Sequence, residues 1–263
     1  MTAGIALPLL LLLVTKGSYL LFTALIALVS FIGMMEYCRM TLPTRGIAGV
    51  IASLAGALLP CLLYTRSAVS ITFALAFLFL AVAIYTLFRI KDIKNAASEA
   101  ALLFFGIMYV PYLLGYLVLL RSLPQGTKWI LLIMFIVMCG DSAAYFIGCR
   151  FGKRKLYPEV SPNKSIEGAI GGLAGSLLGA LLAKQLFFAE ITITDALFAA
   201  LLIGSLGQVG DLFESLLKRS CGVKDSGTIV PGHGGILDRL DSILFAAPAA
   251  YYYALFVAGP LFS

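Results

Sequence analysis

Apolar runs of about twenty residues, separated by short polar interruptions, follow one another along almost the whole chain. Stretches such as Ser67–Leu87 and Ala100–Leu120 have the length an α-helix needs to cross a hydrocarbon layer roughly 30 Å thick. Reading runs and interruptions in this way predicts nine spans: 3–15, 18–37, 46–65, 67–88, 100–120, 128–149, 166–188, 192–216 and 240–262. The first is short for a full crossing, and Lys16-Gly17 separates it from the second. The expected fold class is therefore all-α: a polytopic integral membrane protein with about nine transmembrane helices.

Composition narrows the class further. Of 263 residues 61% are hydrophobic and 12% charged, where soluble domains carry about 25% charged residues. A soluble globule and a disordered chain are both excluded. The first residues lack a basic leader segment and run on into more apolar sequence, so no cleaved signal peptide is expected. Five scattered cysteines without a C-x-x-C pair argue against a disulfide framework and against zinc. The net charge of +6 suits loop retention and anionic lipid rather than nucleic acid.

The basic residues are sided. Connections 2–3, 4–5, 6–7 and 8–9 hold 14 Lys and Arg, and the opposite set holds five. The positive-inside rule then puts the first set in the cytoplasm, with the N-terminus inside and the C-terminus outside. Charge is also concentrated: Asp141–Glu167 and Asp211–Asp241 together contain 17 of the 32 charged residues, and the second contains the chain's single histidine, His233. This divides the chain into an N-terminal transmembrane scaffold (1–120, about five helices) and a C-terminal catalytic region (121–263) with cytoplasmic loops 150–165 and 217–238.

Asp141 and Asp211 each interrupt an apolar run. A carboxylate at that depth costs several kcal/mol unless it meets a cation, a metal or water. A structural ion pair, such as Asp211 with Lys218, would satisfy it; a polar site would too. Asp211, Glu214, Ser215 and Lys218 share one helical face, and Asp238 and Asp241 stand i, i+3 at the start of the last span. Carboxylates from two helices could hold a hard divalent cation through oxygen, which could bridge phosphate oxygens; helix capping is the structural alternative for Asp238 and Asp241. Gly232, Gly234 and Gly235 around His233 permit close backbone approach. Ser161, Lys164 and Ser165 could meet phosphate, with Ser165 capping the next helix. The run GAIGGLAGSLLG lacks G-K-[ST] and reads as small-residue helix packing.

From Ser215 to Asp241 the pattern S-x-x-K-R-x4-K-D-x5-P-G-H-G-G-x-x-D-R-x-D resembles the signature of the phosphatidate cytidylyltransferase (CDP-diacylglycerol synthase) family, and D-S-x-A-Y-x-x-G…F-G-K…S-P-x-K-S-x-E-G, from Asp141 to Gly168, resembles its second common block. One position departs: Cys149 stands where a basic residue often precedes the F-G-K element, with Arg150 beside it. The resemblance implies transfer of a cytidylyl group from CTP to phosphatidic acid, giving CDP-diacylglycerol and pyrophosphate with Mg2+ and, in one version, a second monovalent or divalent cation. It implies catalytic roles for Asp211, Asp238, Asp241, Lys218 and His233, with Asp211 and Asp238 as metal ligands. Substrate and nucleotide contacts would fall to Asp141, Ser161, Lys164, Arg219, Lys224, Asp225, Gly234 and Arg239. Membrane lipids and a second copy of the chain, as a homodimer, are the further partners implied; the setting is a bacterial inner membrane with the site facing the cytoplasm. Two other readings stand beside it: a CTP-dependent polyprenol or phytol kinase, and an ion-coupled transporter.

Overall fold

A computed structural model describes residues 2–42, 46–89, 93–229 and 234–258. The chain forms helices α1 (Thr2–Lys16), α2 (Tyr19–Thr41), α3 (Gly46–Tyr64), α4 (Ala68–Arg89), α5 (Ala96–Ile107), α6 (Leu113–Arg121), α7 (Gly126–Phe151), α8 (Ile166–Leu186), α9 (Ile193–Ser220) and α10 (Asp241–Tyr253). A wide helical turn over Met108–Tyr112 joins α5 to α6. Pro111 within it has no N–H to give to the preceding turn, so the rod running from Ile93 to Arg121 loosens there without breaking.

Among the described residues seven rods, with Ile93–Arg121 taken as one, are long and apolar enough to cross a membrane, and α1, with 15 residues, and α10, with 13, are not in that set. Side-chain exposure agrees with lipid as the solvent. Val69, Phe73, Phe77, Leu80, Ile84 and Leu87 form an exposed apolar face along α4, which no soluble monomer would leave in water. The protein is an integral membrane protein.

One element went unforeseen. Lys155–Tyr157 (β1) and Ser161–Ser165 (β2) pair antiparallel in a small hairpin. The strands are too short, and Pro162 too unusual in a strand, to signal pairing in advance.

Two compact units make up the chain: residues 1–119 with 225–238, and residues 120–224 with 239–263. In the first, α2 packs along α3 and against α5. Phe22, Met34, Tyr37, Leu59 and Leu63 are fully buried there, and the Tyr37 hydroxyl donates to the Leu102 carbonyl at 3.1 Å. In the second, α8 lies between α7 and α9, and α10 packs on α9. Trp129 meets Phe188 edge-on at 5.3 Å, and the Tyr253 hydroxyl donates to Asp195 at 2.9 Å.

The glycine stripe of α8 is used inside this unit. A Cβ at Gly171 would meet Ile147, one at Gly175 would meet Ala143 and the Cys139 carbonyl, and one at Gly179 would meet the Phe135 carbonyl. All four partners lie on α7, so small residues let two backbones approach where side chains would hold them apart.

Helix starts follow the capping rules. Ser18, Ser165 and Thr192 each accept from the backbone N–H three residues on. Glu167, in the first turn of α8, also accepts from the Lys153 and Arg154 N–H groups at 3.1 and 3.2 Å, tying the hairpin's approach to the helix. Ser165→Ala should lower thermal stability by about 1 kcal/mol, read as a shift of the unfolding midpoint in detergent.

Candidate active site

The second unit gathers the acids of three helices. Asp141 comes from α7, Asp211 and Glu214 from α9, and Asp241 from the first position of α10. The charges of Asp141, Asp211 and Asp241 act directly on one another. Beside them lies a small cavity lined by Val137, Gly140, Asp141, Ser176, Gly204, Gly207, Gln208 and Ser242.

Two lysines enter the same cluster. Lys164 reaches from β2 to Asp211 Oδ1 at 2.7 Å. Lys218, one turn along α9, pairs with the fully buried Glu214 at 3.1 Å. Asp211 thus has a cation partner from the hairpin, while Lys218 on its own helix pairs with Glu214. Among the described residues four carboxylates and two lysines thus gather in this unit, and carboxylates set close together are costly unless a cation or water joins them.

The hairpin is thus what carries Lys164 to the acids. Ser161 opens β2 opposite Tyr157, four residues earlier. The Arg219 guanidinium stands 3.5 Å from the carbonyls of Val160 and Val223, next to the hairpin turn. Lys224 and Arg239 are exposed.

In the first unit the remaining motif residues build a tight loop. Asp238 Oδ2 accepts from the Ser226 N–H at 2.9 Å, the Ser226 hydroxyl at 2.8 Å and the Gly235 N–H at 2.8 Å. Gly234 has φ of +81°, a value that favours glycine, and a Cβ there would lie 2.6 Å from Asp238 Oδ2. Asp225 is exposed beside it. His233 and Gly232 lie outside the described residues.

Two residues absent from the sequence reasoning belong to this loop. Glu36, buried on α2, accepts from the Ile236 and Leu237 N–H groups at 3.0 and 2.9 Å, and Ser226 bridges it to Asp238. The available signal for Glu36 was its position as a lone acid within an apolar span.

Among the described residues no three His, Cys, Asp or Glu side chains form a ready-made metal cage. The donor chemistry still suits a hard cation. Mg2+ commonly takes one or two protein carboxylates and completes its shell with water and substrate phosphate.

The described residues thus define a helical membrane protein with carboxylates and lysines gathered at the ends of its spans. Comparison with known proteins gives the family. The model of the Cytidylyltransferase family matches residues 1–257, and the chain belongs to that family. The phosphatidate cytidylyltransferase of Bacillus subtilis (strain 168) is 39% identical over 163 residues, 61% of this chain and 61% of the relative. Those of Staphylococcus haemolyticus (strain JCSC1435) and Staphylococcus aureus (strain COL) are 40% and 39% identical over 159 and 157 residues, each 59% of this chain and 60% of the relative. The chain thus spans about three-fifths of the length of the curated relatives it matches.

Proposed function

We propose that this chain is a phosphatidate cytidylyltransferase, joining CTP and phosphatidic acid into CDP-diacylglycerol and pyrophosphate. The observation that carries the reading is the cluster of Asp141, Asp211, Glu214 and Asp241 with Lys164 and Lys218, on a chain of the Cytidylyltransferase family. The names of the relatives supply the substrate pair.

A phosphatidate phosphate oxygen attacks the α-phosphorus of CTP in line, and the bond to the β-phosphate oxygen breaks. The incoming phosphate is already ionised, so little general-base help is needed. Lys164 and Lys218 exchange their carboxylate partners for phosphate oxygens as substrate enters, and Arg219 and Lys224 add cations on the same loop. Asp211, with Asp141 and Asp241 close by, would hold Mg2+, and the mutual repulsion of these carboxylates favours that. When bound, the ion would neutralise charge developing on the leaving pyrophosphate. Asp238 keeps the glycine loop of its own unit in shape.

The basic connections argue for a cytoplasmic site, where CTP is available, while the lipid substrate stays in the leaflet. The test is a detergent-micelle assay with labelled CTP and phosphatidic acid, with and without Mg2+. CDP-lipid plus pyrophosphate, dependent on Mg2+, is the expected product pair. Lipid phosphate plus CDP would instead make the chain a lipid kinase, and no turnover of CTP would overturn the reading.

A further inference from the structure

The geometry points to Glu36 as a positioning residue for the motif loop: from α2, some two hundred residues away in sequence, its carboxylate fixes the backbone of Gly235–Asp238. Both of its oxygens are engaged. Oε1 accepts from the Ile236 N–H at 3.0 Å, and Oε2 accepts from the Leu237 N–H at 2.9 Å. The Ser226 hydroxyl donates to Asp238 Oδ2 at 2.8 Å, with Glu36 Oε2 at 3.3 Å as a second acceptor.

The surroundings leave the carboxylate no other arrangement. Glu36 is 1% exposed. A Cβ on Gly227 would lie 2.5 Å from its Oε1, and one on Gly235 would lie 2.5 Å from its Oε2. Glycine at these two positions lets the loop backbone close over a side chain from another helix. Without Glu36, two buried N–H groups would lose their acceptors, which costs more than a hydrogen bond exposed to water would. The structure accordingly links α2 to Asp238 through one acid and one serine. The partners of Glu36 are backbone amides and Ser226, and Ser226 links it to Asp238.

Glutamine tests this sharply. It has nearly the same shape, but only one of its two terminal atoms accepts, so either orientation of the amide leaves Ile236 or Leu237 facing a donor. Aspartate keeps both acceptors on a shorter arm.

The inference rests on the proposed cytidylyl transfer for its kinetic arm only. Hydrogen exchange of the full chain in detergent is the independent arm. In Glu36→Gln, exchange of a peptide spanning 234–240 should rise roughly tenfold or more, while peptides from α7, α8 and α9 keep their protection. In the assay, kcat should fall about 10–100-fold, with KM for phosphatidic acid unchanged. Glu36→Asp should recover part of both.

Unchanged exchange at 234–240, or a uniform rise across both units, would overturn the positioning role. So would a Glu36→Gln enzyme with wild-type kcat. If Glu36→Gln does not fold, Ser226→Ala carries the exchange arm, where a local rise supports the link and no change refutes it. A wild-type chain that forms no CDP-lipid would sink the proposed function, and the exchange result would still decide the role of Glu36.

Discussion

Asp211→Asn should lose roughly a thousandfold in cytidylyl transfer while remaining folded. The reasoning starts from charge. Asp211 is the acid to which Lys164 reaches across from the hairpin, at 2.7 Å, and its charge bears on both Asp141 and Asp241. Asparagine is almost the same size and keeps an acceptor oxygen, so packing is preserved. What disappears is one negative charge of the cluster. A divalent cation is then held less well, and several kcal/mol of stabilisation of the leaving group goes with it. Stability has much less to lose. The Lys164 and Asp211 side chains are 27% and 32% exposed, and a pair so placed contributes about 0–1 kcal/mol. The unfolding midpoint in detergent should therefore move by no more than about 2–4 °C. Turnover within a few-fold of wild type would remove Asp211 from the site; a collapse of the midpoint would make it a structural ion-pair residue instead.

The spans were legible because a bilayer demands a single feature, length of apolar run, and that feature needs no knowledge of neighbours. The helices α2, α3, α4, α8 and α9 accordingly start and end within a few residues of the predicted boundaries. The acids Asp141 and Asp211 were legible as expensive residues interrupting those runs, and Asp241 as one of an i, i+3 pair at the start of the last. Their partners were less so. A helical face suggests Lys218 for Asp211, yet the chain supplies Lys164 from a hairpin whose strands are too short to announce themselves, and Lys218 turns to Glu214. Glu36 was hidden for a different reason. Its partners are backbone amides at 236 and 237, and a backbone N–H has no signature in a sequence. Asp238 and Asp241, neighbours on paper, stand on a one-turn helix at Leu237–Arg239 and at the start of α10 respectively. The chain passes from one unit to the other between them, so spacing alone could not say what each would do.

Gly175→Leu should fail in the opposite way to Asp211→Asn, losing fold and activity together. A single added Cβ would already lie 2.5 Å from the Ala143 Cβ and 2.5 Å from the Cys139 carbonyl oxygen. The second obstacle is backbone, which cannot rotate aside as a side chain can. Leucine brings three more carbons into the same gap. The flanking positions offer no relief, since a Cβ at Gly171 would meet Ile147 at 2.5 Å and one at Gly179 the Phe135 carbonyl at 2.7 Å. The helices α7 and α8 must part. Overpacking typically costs 1–3 kcal/mol, and a backbone obstacle puts this case near 3 kcal/mol, or roughly 6–12 °C in midpoint. Function follows because α7 carries Asp141, half a turn before Ala143, while α8 begins at the capped end of the strand that carries Lys164. Separating the two helices pulls the acid away from the lysine. Gly46→Ala is the matched control, because nothing lies within 4 Å of a Cβ there, and it should leave midpoint and turnover as they are. A Gly175→Leu protein with the wild-type midpoint would mean that the glycine stripe does not set the spacing of α7 and α8.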